Sequence, residues 1–201
     1  MLMDEPFNVV VAGVGGQGNV FMARALGELM LGQGFQVTIG ETYGAAQRGG
    51  AVMSHLRLSR SGGPGPLVPE GMAHVVIALE PVEALRVLGS YGNPRVRVIA
   101  NTRAVLPLED REAYPALPRI LQHVRDLSAQ AWSVAATDIA LRLGDPVLAN
   151  MVMFGAMEPL DVLPIRRDAF EIVLARLLDR SQRDRAMQAY EAGLGQAVPI
   201  G

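Results

Sequence analysis

Residues 41–50 concentrate the side chains best suited to binding an anion or a protein partner. This segment carries the acid Glu41, the amide Gln47, the guanidinium of Arg48 and three glycines. Glycine lets backbone N–H groups approach a ligand closely, and arginine presents a planar fork of hydrogen-bond donors. The residue types predict a phosphate or carboxylate held by Arg48. The alternative is a structural or inter-subunit ion pair from Arg48 to Glu41 or to an acid of another subunit.

A second glycine-rich segment precedes this one by a predicted helix and strand. Gly13, Gly15 and Gly18 have the spacing G-x-G-x-x-G, and Glu41 ends the next predicted strand. A dinucleotide-binding domain has its phosphate turn and its ribose-binding acid at such positions. A free-standing NAD(P)-dependent reductase is therefore one hypothesis, although the doubled glycine before Gln17 and the second glycine loop argue against simple nicotinamide binding. The alternative is that the glycines only allow a tight turn and close packing.

The elements that position these segments alternate between strand and helix. Residues 8–12 form a short β-branched run typical of a buried parallel strand, and a helix over 17–32 and a strand over 35–39 complete a right-handed βαβ unit. Apolar patterning predicts further strands at 51–59, 74–79, 95–100 and 132–136, and helices at 81–88, 118–130, 137–143, 144–157, 168–178 and 182–192. We expect an α/β fold with three α/β/α layers, a mostly parallel sheet and a helical C-terminal third.

Composition excludes several classes of function. The chain has 201 residues, a net charge of −2 and no cysteine. It therefore has no strong field favouring nucleic acid, and it cannot supply thiolates to an iron–sulfur cluster, a structural zinc site or a disulfide. Its basic residues are all arginine, so a Schiff-base or P-loop lysine is excluded. The histidines are isolated, and we predict no metal ligands.

Neither a catalytic residue nor a membrane segment is expected. We find no Ser–His–Asp spacing and no paired carboxylates on one element. The N-terminus lacks the basic and apolar regions of a signal peptide, and the longest apolar runs are far too short to cross a bilayer. The pattern predicts a soluble, cytoplasmic protein that binds neither nucleic acid nor membrane.

Four segments together are similar to a known family. They are residues 14–18 (Val-Gly-Gly-Gln-Gly), residues 41–54 (Glu-x-x-Gly-x-x-Gln-Arg-Gly-Gly-x-Val-x-Ser), residues 149–156 and residues 186–193. These segments resemble the gamma domain of 2-oxoacid:ferredoxin oxidoreductases, and among them most closely the beta subunits of indolepyruvate ferredoxin oxidoreductases. The resemblance covers nearly the whole chain and implies a single gamma-type domain over residues 1–201.

The resemblance implies one subunit of a larger enzyme that is not catalytic alone. Such enzymes decarboxylate a 2-oxoacid oxidatively with thiamine diphosphate and magnesium, pass electrons through iron–sulfur clusters to ferredoxin, and transfer the acyl group to coenzyme A. Those cofactors are expected on a larger partner subunit, and the isolated chain is expected as a homodimer. Tyr43 stands where the indolepyruvate group often has histidine. We therefore expect an aryl pyruvate such as indolepyruvate, with another 2-oxoacid as the alternative. A purely structural adaptor is a further alternative.

The resemblance also implies which residues serve binding or assembly. We predict no catalytic and no metal-binding residue in this set. Its members are Gly13, Gly15, Gly16, Gln17, Gly18, Glu41, Gly44, Gln47, Arg48, Gly49, Gly50 and Ser54.

Overall fold

The computed structural model describes residues 5–44, 50–106 and 114–201. Strands and helices alternate in the first two thirds of the chain, apart from three strands that follow one another without a helix, and helices dominate thereafter. The strands are β1 (Phe7–Val14), β2 (Gln36–Tyr43), β3 (Ala51–Ser59), β4 (Val75–Ala78), β5 (Arg97–Asn101), β6 (Gln130–Val134) and β7 (Val198–Pro199). The helices are α1 (Asn19–Gly32), α2 (Pro81–Tyr91), α3 (Leu117–Asp126), α4 (Ala136–Arg142), α5 (Ala149–Met157), α6 (Arg167–Leu177) and α7 (Arg180–Gly193).

One sheet runs through the described part of the chain, with the strand order β2-β3-β1-β4-β5-β6-β7. The strands β1, β2, β4, β5 and β6 run in one direction, and β3 and β7 run in the other. The predicted α/β class with a mostly parallel sheet is therefore confirmed. The helix α1 connects two parallel strands, but β3 lies between them. Glu41, on β2, is consequently two strands away from β1.

Helices cover both faces of the sheet. Successive residues of β1 point to opposite faces, so Val9 and Val11 pack with α1 and the C-terminal helices, while Val10 and Ala12 pack with α2 and α3. All of β1 is buried, as expected for a central strand covered on both sides. This arrangement is the predicted three-layer architecture with a helical C-terminal third.

Several local predictions were wrong. The helix predicted to begin at Thr137 begins at Ala136, because Ala135 is its N-cap residue, and Thr137 bonds to Asn101. The predicted helix over 144–157 is divided, because the Asp145 side chain caps a 3-10 turn (Pro146–Leu148) that precedes α5. The two-residue strand β7 was not predicted, since so short a segment has no periodicity to detect.

None of the helices in the described ranges combines the length and the apolar character needed to cross a membrane.

Candidate functional site

The structure brings the two glycine-rich segments together at the carboxyl end of β1. The backbone N–H of Gly15 donates to the carbonyl oxygen of Gly50 at 3.1 Å. Next to this contact, the N–H of Gly44 donates to the carbonyl oxygen of Ala51 at 2.7 Å and continues the β2–β3 hairpin. Of the predicted site residues in this hairpin loop, Gln47, Arg48 and Gly49 lie outside the described residues. Gly44 and Gly50 are the described residues on either side of them.

Gln17 fixes the glycine turn rather than pointing freely into solvent. Its Oε1 accepts from the N–H of Val14 at 2.9 Å, and its Nε2 donates to the carbonyl oxygen of Leu79 at 3.0 Å. The side chain thus links the β1–α1 turn to the end of β4. A Cβ atom on Gly13 would lie 2.6 Å from this Oε1. Gly13 is therefore required by the space that Gln17 occupies, and Gly15, Gly16 and Gly18 surround it in the same turn.

Glu41 and Ser54 lie apart from the glycine turn. They are opposite each other in the β2–β3 register. Glu41 is exposed on the edge strand and accepts a hydrogen bond from the hydroxyl of Tyr43, which raises the pKa of that tyrosine. Ser54 is fully buried, and its Oγ has no partner among the described residues. The predicted set is thus divided between the turn, the edge strand β2 and the internal strand β3.

A cleft of about 320 Å³ opens beside the turn, and we call it the carboxyl-edge cleft. It lies where ligands commonly bind in α/β sheets, outside the carboxyl ends of the parallel strands. Its walls include Gln17, Asn101, Arg103, Thr137 and Val147. Among these, the exposed guanidinium of Arg103 pairs with Asp138, at 3.3 Å between NH1 and Oδ1. The cleft therefore offers a cation and hydroxyl and amide groups on a partly apolar surface.

Asn101 organises the floor of this cleft. Its Nδ2 donates to the carbonyl oxygen of Leu79 at 3.0 Å and to the Thr137 hydroxyl at 2.8 Å, while its Oδ1 accepts from the Thr137 N–H at 3.2 Å. Gln17 donates to the same Leu79 carbonyl. One polar chain therefore connects the ends of β1, β4 and β5 to the beginning of α4.

Sequence reasoning missed Asn101, Arg103 and Thr137 as residues of the site. A signal was present, because Asn101 ends a predicted strand and Thr137 begins a predicted helix. The carboxyl ends of parallel strands meet at one edge of a sheet, so polar residues there are candidates by position alone.

Buried Glu80 holds one wall of the cleft in place. It caps α2 by accepting from the N–H of Glu83 at 3.0 Å, and it also accepts from the N–H of Val105 at 3.3 Å. The hydroxyl of Tyr114 donates to the same carboxylate. Burial and this hydrogen bond raise the pKa of Tyr114 above its ordinary value, so the phenol stays protonated as a donor. The segment that carries Arg103 and Val105 is thus anchored at both ends.

The described residues do not fit a metal or an iron–sulfur cluster. No group of three or more histidine, aspartate or glutamate side chains in these ranges lies close enough to hold a metal ion. The whole sequence contains no cysteine.

Comparison with known proteins identifies the family. A family model described as pyruvate ferredoxin/flavodoxin oxidoreductase matches residues 8–196. The chain belongs to this family. The resemblance inferred from the glycine segments and the two C-terminal segments is thereby confirmed.

Relatives over nearly the full chain support the same assignment. The indolepyruvate oxidoreductase subunit IorB of Archaeoglobus fulgidus is 34% identical over 194 residues, which cover 95% of each protein. The protein of the same name from Thermococcus kodakarensis is 32% identical over 197 residues, with 96% of each protein covered.

Solved structures share the fold at low sequence identity. Pyruvate oxidoreductase subunit PORC from Thermotoga maritima is 20% identical, with a TM-score of 0.70 and coverage of 98% of this chain and 99% of that one. A 2-oxoglutarate:ferredoxin oxidoreductase from Magnetococcus marinus, with 2-oxoglutarate, coenzyme A and succinyl-CoA bound, is 17% identical with a TM-score of 0.70. This chain spans 31% of the length of that one, although 95% of this chain is matched.

Proposed function

We propose that this chain is the subunit without redox centres of a thiamine-dependent 2-oxoacid:ferredoxin oxidoreductase. The complex would decarboxylate an aryl pyruvate oxidatively, with indolepyruvate as the first candidate, to give an acyl-CoA and reduced ferredoxin. The names of the relatives support this substrate, since they are indolepyruvate oxidoreductase subunits at 34% and 32% identity. Another 2-oxoacid is the alternative, because Tyr43 departs from the histidine of that group.

One geometric observation gives the main support for the proposal. The Gly15–Gly50 hydrogen bond joins both glycine segments into one surface beside the carboxyl-edge cleft, while the sequence has no cysteine for a cluster. We infer that thiamine diphosphate, magnesium and the iron–sulfur clusters, which supply the carbanion and electron-transfer chemistry, reside on a larger partner subunit. The predicted residues of this chain would complete a binding surface for substrate, coenzyme A or that partner.

The residues within that surface would have different roles. Gln17 and Gly13 would act by shaping the turn, because the Gln17 side chain bonds the turn and β4. Arg48 and Gln47 would make the external contacts, from a loop that starts at Gly44 and returns at Gly50. Arg103 would add a second cation, on the wall of the cleft.

A free-standing NAD(P)-dependent reductase is less well supported. In that fold the ribose-binding acid lies on the strand next to β1. Here β3 occupies that place, so Glu41 lies two strand spacings of about 4.8 Å each from β1 and bonds to Tyr43. Tight, saturable quenching on titration of NADH with the isolated chain would nevertheless favour the reductase over our proposal.

Reconstitution tests the proposed function directly. The chain alone and the chain co-purified with its large partner subunit are assayed for indolepyruvate-dependent reduction of ferredoxin, with phenylpyruvate and pyruvate as competing substrates. We expect turnover and bound iron only in the complex, with the aryl substrates preferred. Turnover by the isolated chain would contradict the proposal, and a preference for pyruvate would contradict the proposed substrate.

Substitutions of Arg48 separate a functional loop from an adaptor. In Arg48→Ala we expect the complex to assemble and to lose most of its turnover. In Arg48→Lys we expect little recovery, because lysine keeps the charge and loses the planar fork of donors. Full activity of the lysine variant would exclude a bidentate contact. Normal turnover of the alanine variant would favour the purely structural adaptor.

We also propose that the complex is cytoplasmic and that the isolated chain forms a homodimer. Fractionation of the source cells tests the first statement, and light scattering after size-exclusion chromatography tests the second.

A further inference from the structure

A second cleft, of about 300 Å³, lies where α1, α5 and α7 begin, and we call it the three-helix cleft. It is separate from the carboxyl-edge cleft, although Val147 contributes to both. Its floor is apolar, and three polar side chains (Asn150, Gln182 and Arg185) and the carboxylate of Asp145 surround it. The apolar part consists of Phe21, Leu148, Met151, Leu178 and Ala186.

Asn150 is a buried amide that no side chain or backbone group of the described residues satisfies. It is 4% exposed, lines the cleft, and forms no hydrogen bond within the described ranges. Its Nδ2 is directed at the N-cap residue of α1, because a Cβ atom on Gly18 would lie only 2.4 Å from it. Because the amide lines the cleft, its Nδ2 can donate to a molecule bound there.

The N-terminus of α1 lies at the same cleft with unpaired donors. The helix α1 has 14 residues, its N-cap residue Gly18 lines the cleft without providing a side-chain cap, and its first turn contains no acidic residue. At α5 the preceding 3-10 turn occupies these groups, because the N–H of Ala149 donates to the carbonyl oxygen of Pro146. In contrast, α7 has a complete capping box from Asp179 and Gln182. Uncapped N-termini present free N–H groups and a partial positive charge, which favour an anion.

Arg185 completes the set of donors. Its side chain is half exposed, and one NH2 group pairs with Oδ2 of Asp145 at 3.0 Å. Asp145 also accepts from the N–H of Val147 at 3.0 Å, so its carboxylate is already satisfied within the protein. The guanidinium retains further donors for a ligand. Asp145 therefore orients the arginine and offsets one charge.

We propose that the three-helix cleft binds a small organic carboxylate with an apolar, ring-sized body. The carboxylate would accept from Asn150, from Arg185 and from the first turn of α1, while the body would contact the floor around Phe21, Met151 and Leu178. A volume of about 300 Å³ is at the lower end for ligand sites and suits a single ring with a short acidic side chain. The inference stands independently of the proposed enzymatic function, because it rests only on this cleft.

The full-length chain is titrated with phenylacetate and followed by ligand-detected NMR. We expect saturable binding with a Kd of about millimolar or tighter, as ligand efficiency allows for so small a molecule. Arg185→Gln should weaken binding about tenfold, since it removes one charge-assisted contact. Arg183→Gln is the matched control, because Arg183 lies on the same helix, pairs only with its neighbour Asp184 at 3.9 Å and does not line the cleft.

A second variant and two further probes make the result decisive. Asn150→Asp keeps the shape and replaces the donor with a charge that repels the ligand, so it should abolish binding. If that variant does not fold, the comparison of Arg185→Gln with Arg183→Gln tests the proposal by itself. Inorganic phosphate and benzylamine probe the charge and the ring separately. Unchanged phenylacetate binding in both variants, or no binding to the wild type, would overturn the proposal, as would phosphate or benzylamine binding as tightly as phenylacetate.

Discussion

The close packing of α5 against α7 gives the sharpest test of how the site is positioned. A Cβ atom on Gly155 would lie 1.9 Å from the carbonyl oxygen of Tyr190 and 2.8 Å from its carbonyl carbon. The reciprocal contact is similar, since a Cβ on Gly193 would lie 2.1 Å from the carbonyl oxygen of Val152. These neighbours are backbone atoms of a buried helix pair and cannot rotate away. Because Asn150 lies at the start of α5, this packing also positions both clefts.

The effect of Gly155→Ala is a competition between two terms of opposite sign. Alanine favours a helix over glycine by about 1 kcal/mol. The new methyl group, however, must move the backbones apart by more than 1 Å, since real Cβ contacts below 3.0 Å are essentially never seen. Overpacking of this kind costs about 3 kcal/mol or more when neither side yields. We expect a net destabilisation of about 2 kcal/mol and a fall in Tm of about 4–8 °C for a chain of this size.

Urea unfolding followed by circular dichroism, with a parallel thermal scan, measures this difference. Gly89→Ala is the matched control, because Gly89 lies in α2 and no neighbouring atom lies within 4 Å of the position that a Cβ would take there. It should stabilise the protein by up to about 1 kcal/mol through propensity alone. A Gly155→Ala variant as stable as the wild type, beside a stabilised Gly89→Ala, would refute the reasoning about helix packing.

Two further substitutions test the turn and the sheet. Gln17→Leu should destabilise the protein by about 1–3 kcal/mol in urea unfolding, because it leaves the N–H of Val14 unpaired and removes one of the two donors to the carbonyl oxygen of Leu79. Exposed Gln188→Leu should change stability little, and equal effects of the two substitutions would show that Gln17 does not hold the turn. Burial lowers the pKa of His55. Below about pH 6.5 the imidazole therefore binds a proton in the unfolded state but not in the folded state, and the free energy of unfolding falls by up to about 1.4 kcal/mol per pH unit. His55→Phe should remove that loss between pH 7.5 and 5.5 while exposed His123→Gln keeps it, and an unchanged slope in His55→Phe would contradict this assignment.

The sequence predicted the elements well because their cores are strongly patterned. The β-branched run of β1 and the apolar stripe of α1 lie where periodicity placed them. The position of β3 could not be predicted in the same way. The alternation of polar and apolar residues in β3 indicates a strand with one more polar face. Its pairing partners, however, depend on contacts distant in sequence, such as the pairing of Val10 with His55. The insertion of β3 between β1 and β2 is therefore determined by tertiary contacts.

The candidate site was predicted only in part for a similar reason. The spacing of the glycines predicted the turn around Gly15, because this motif is typical of a tight turn between a strand and a helix. The network of Gln17, Asn101 and Thr137 depends on the meeting of three strand ends around one carbonyl oxygen. No local pattern encodes that meeting. The side-chain bonds of Gln17 are likewise visible only once β4 lies beside β1.

The inserted strand β3 changes what the glycine motif means in this fold. In a dinucleotide-binding domain the turn after the first strand is open to a pyrophosphate, and the next parallel strand brings the ribose-binding acid beside it. Here the residue that precedes β3 contacts that turn, because the carbonyl oxygen of Gly50 accepts a hydrogen bond from the N–H of Gly15. Gln17 fills the space that Gly13 leaves and ties the turn to β4. The same spacing of glycines thus brings Gly50 against the turn, and the binding surface that we propose would include both glycine segments.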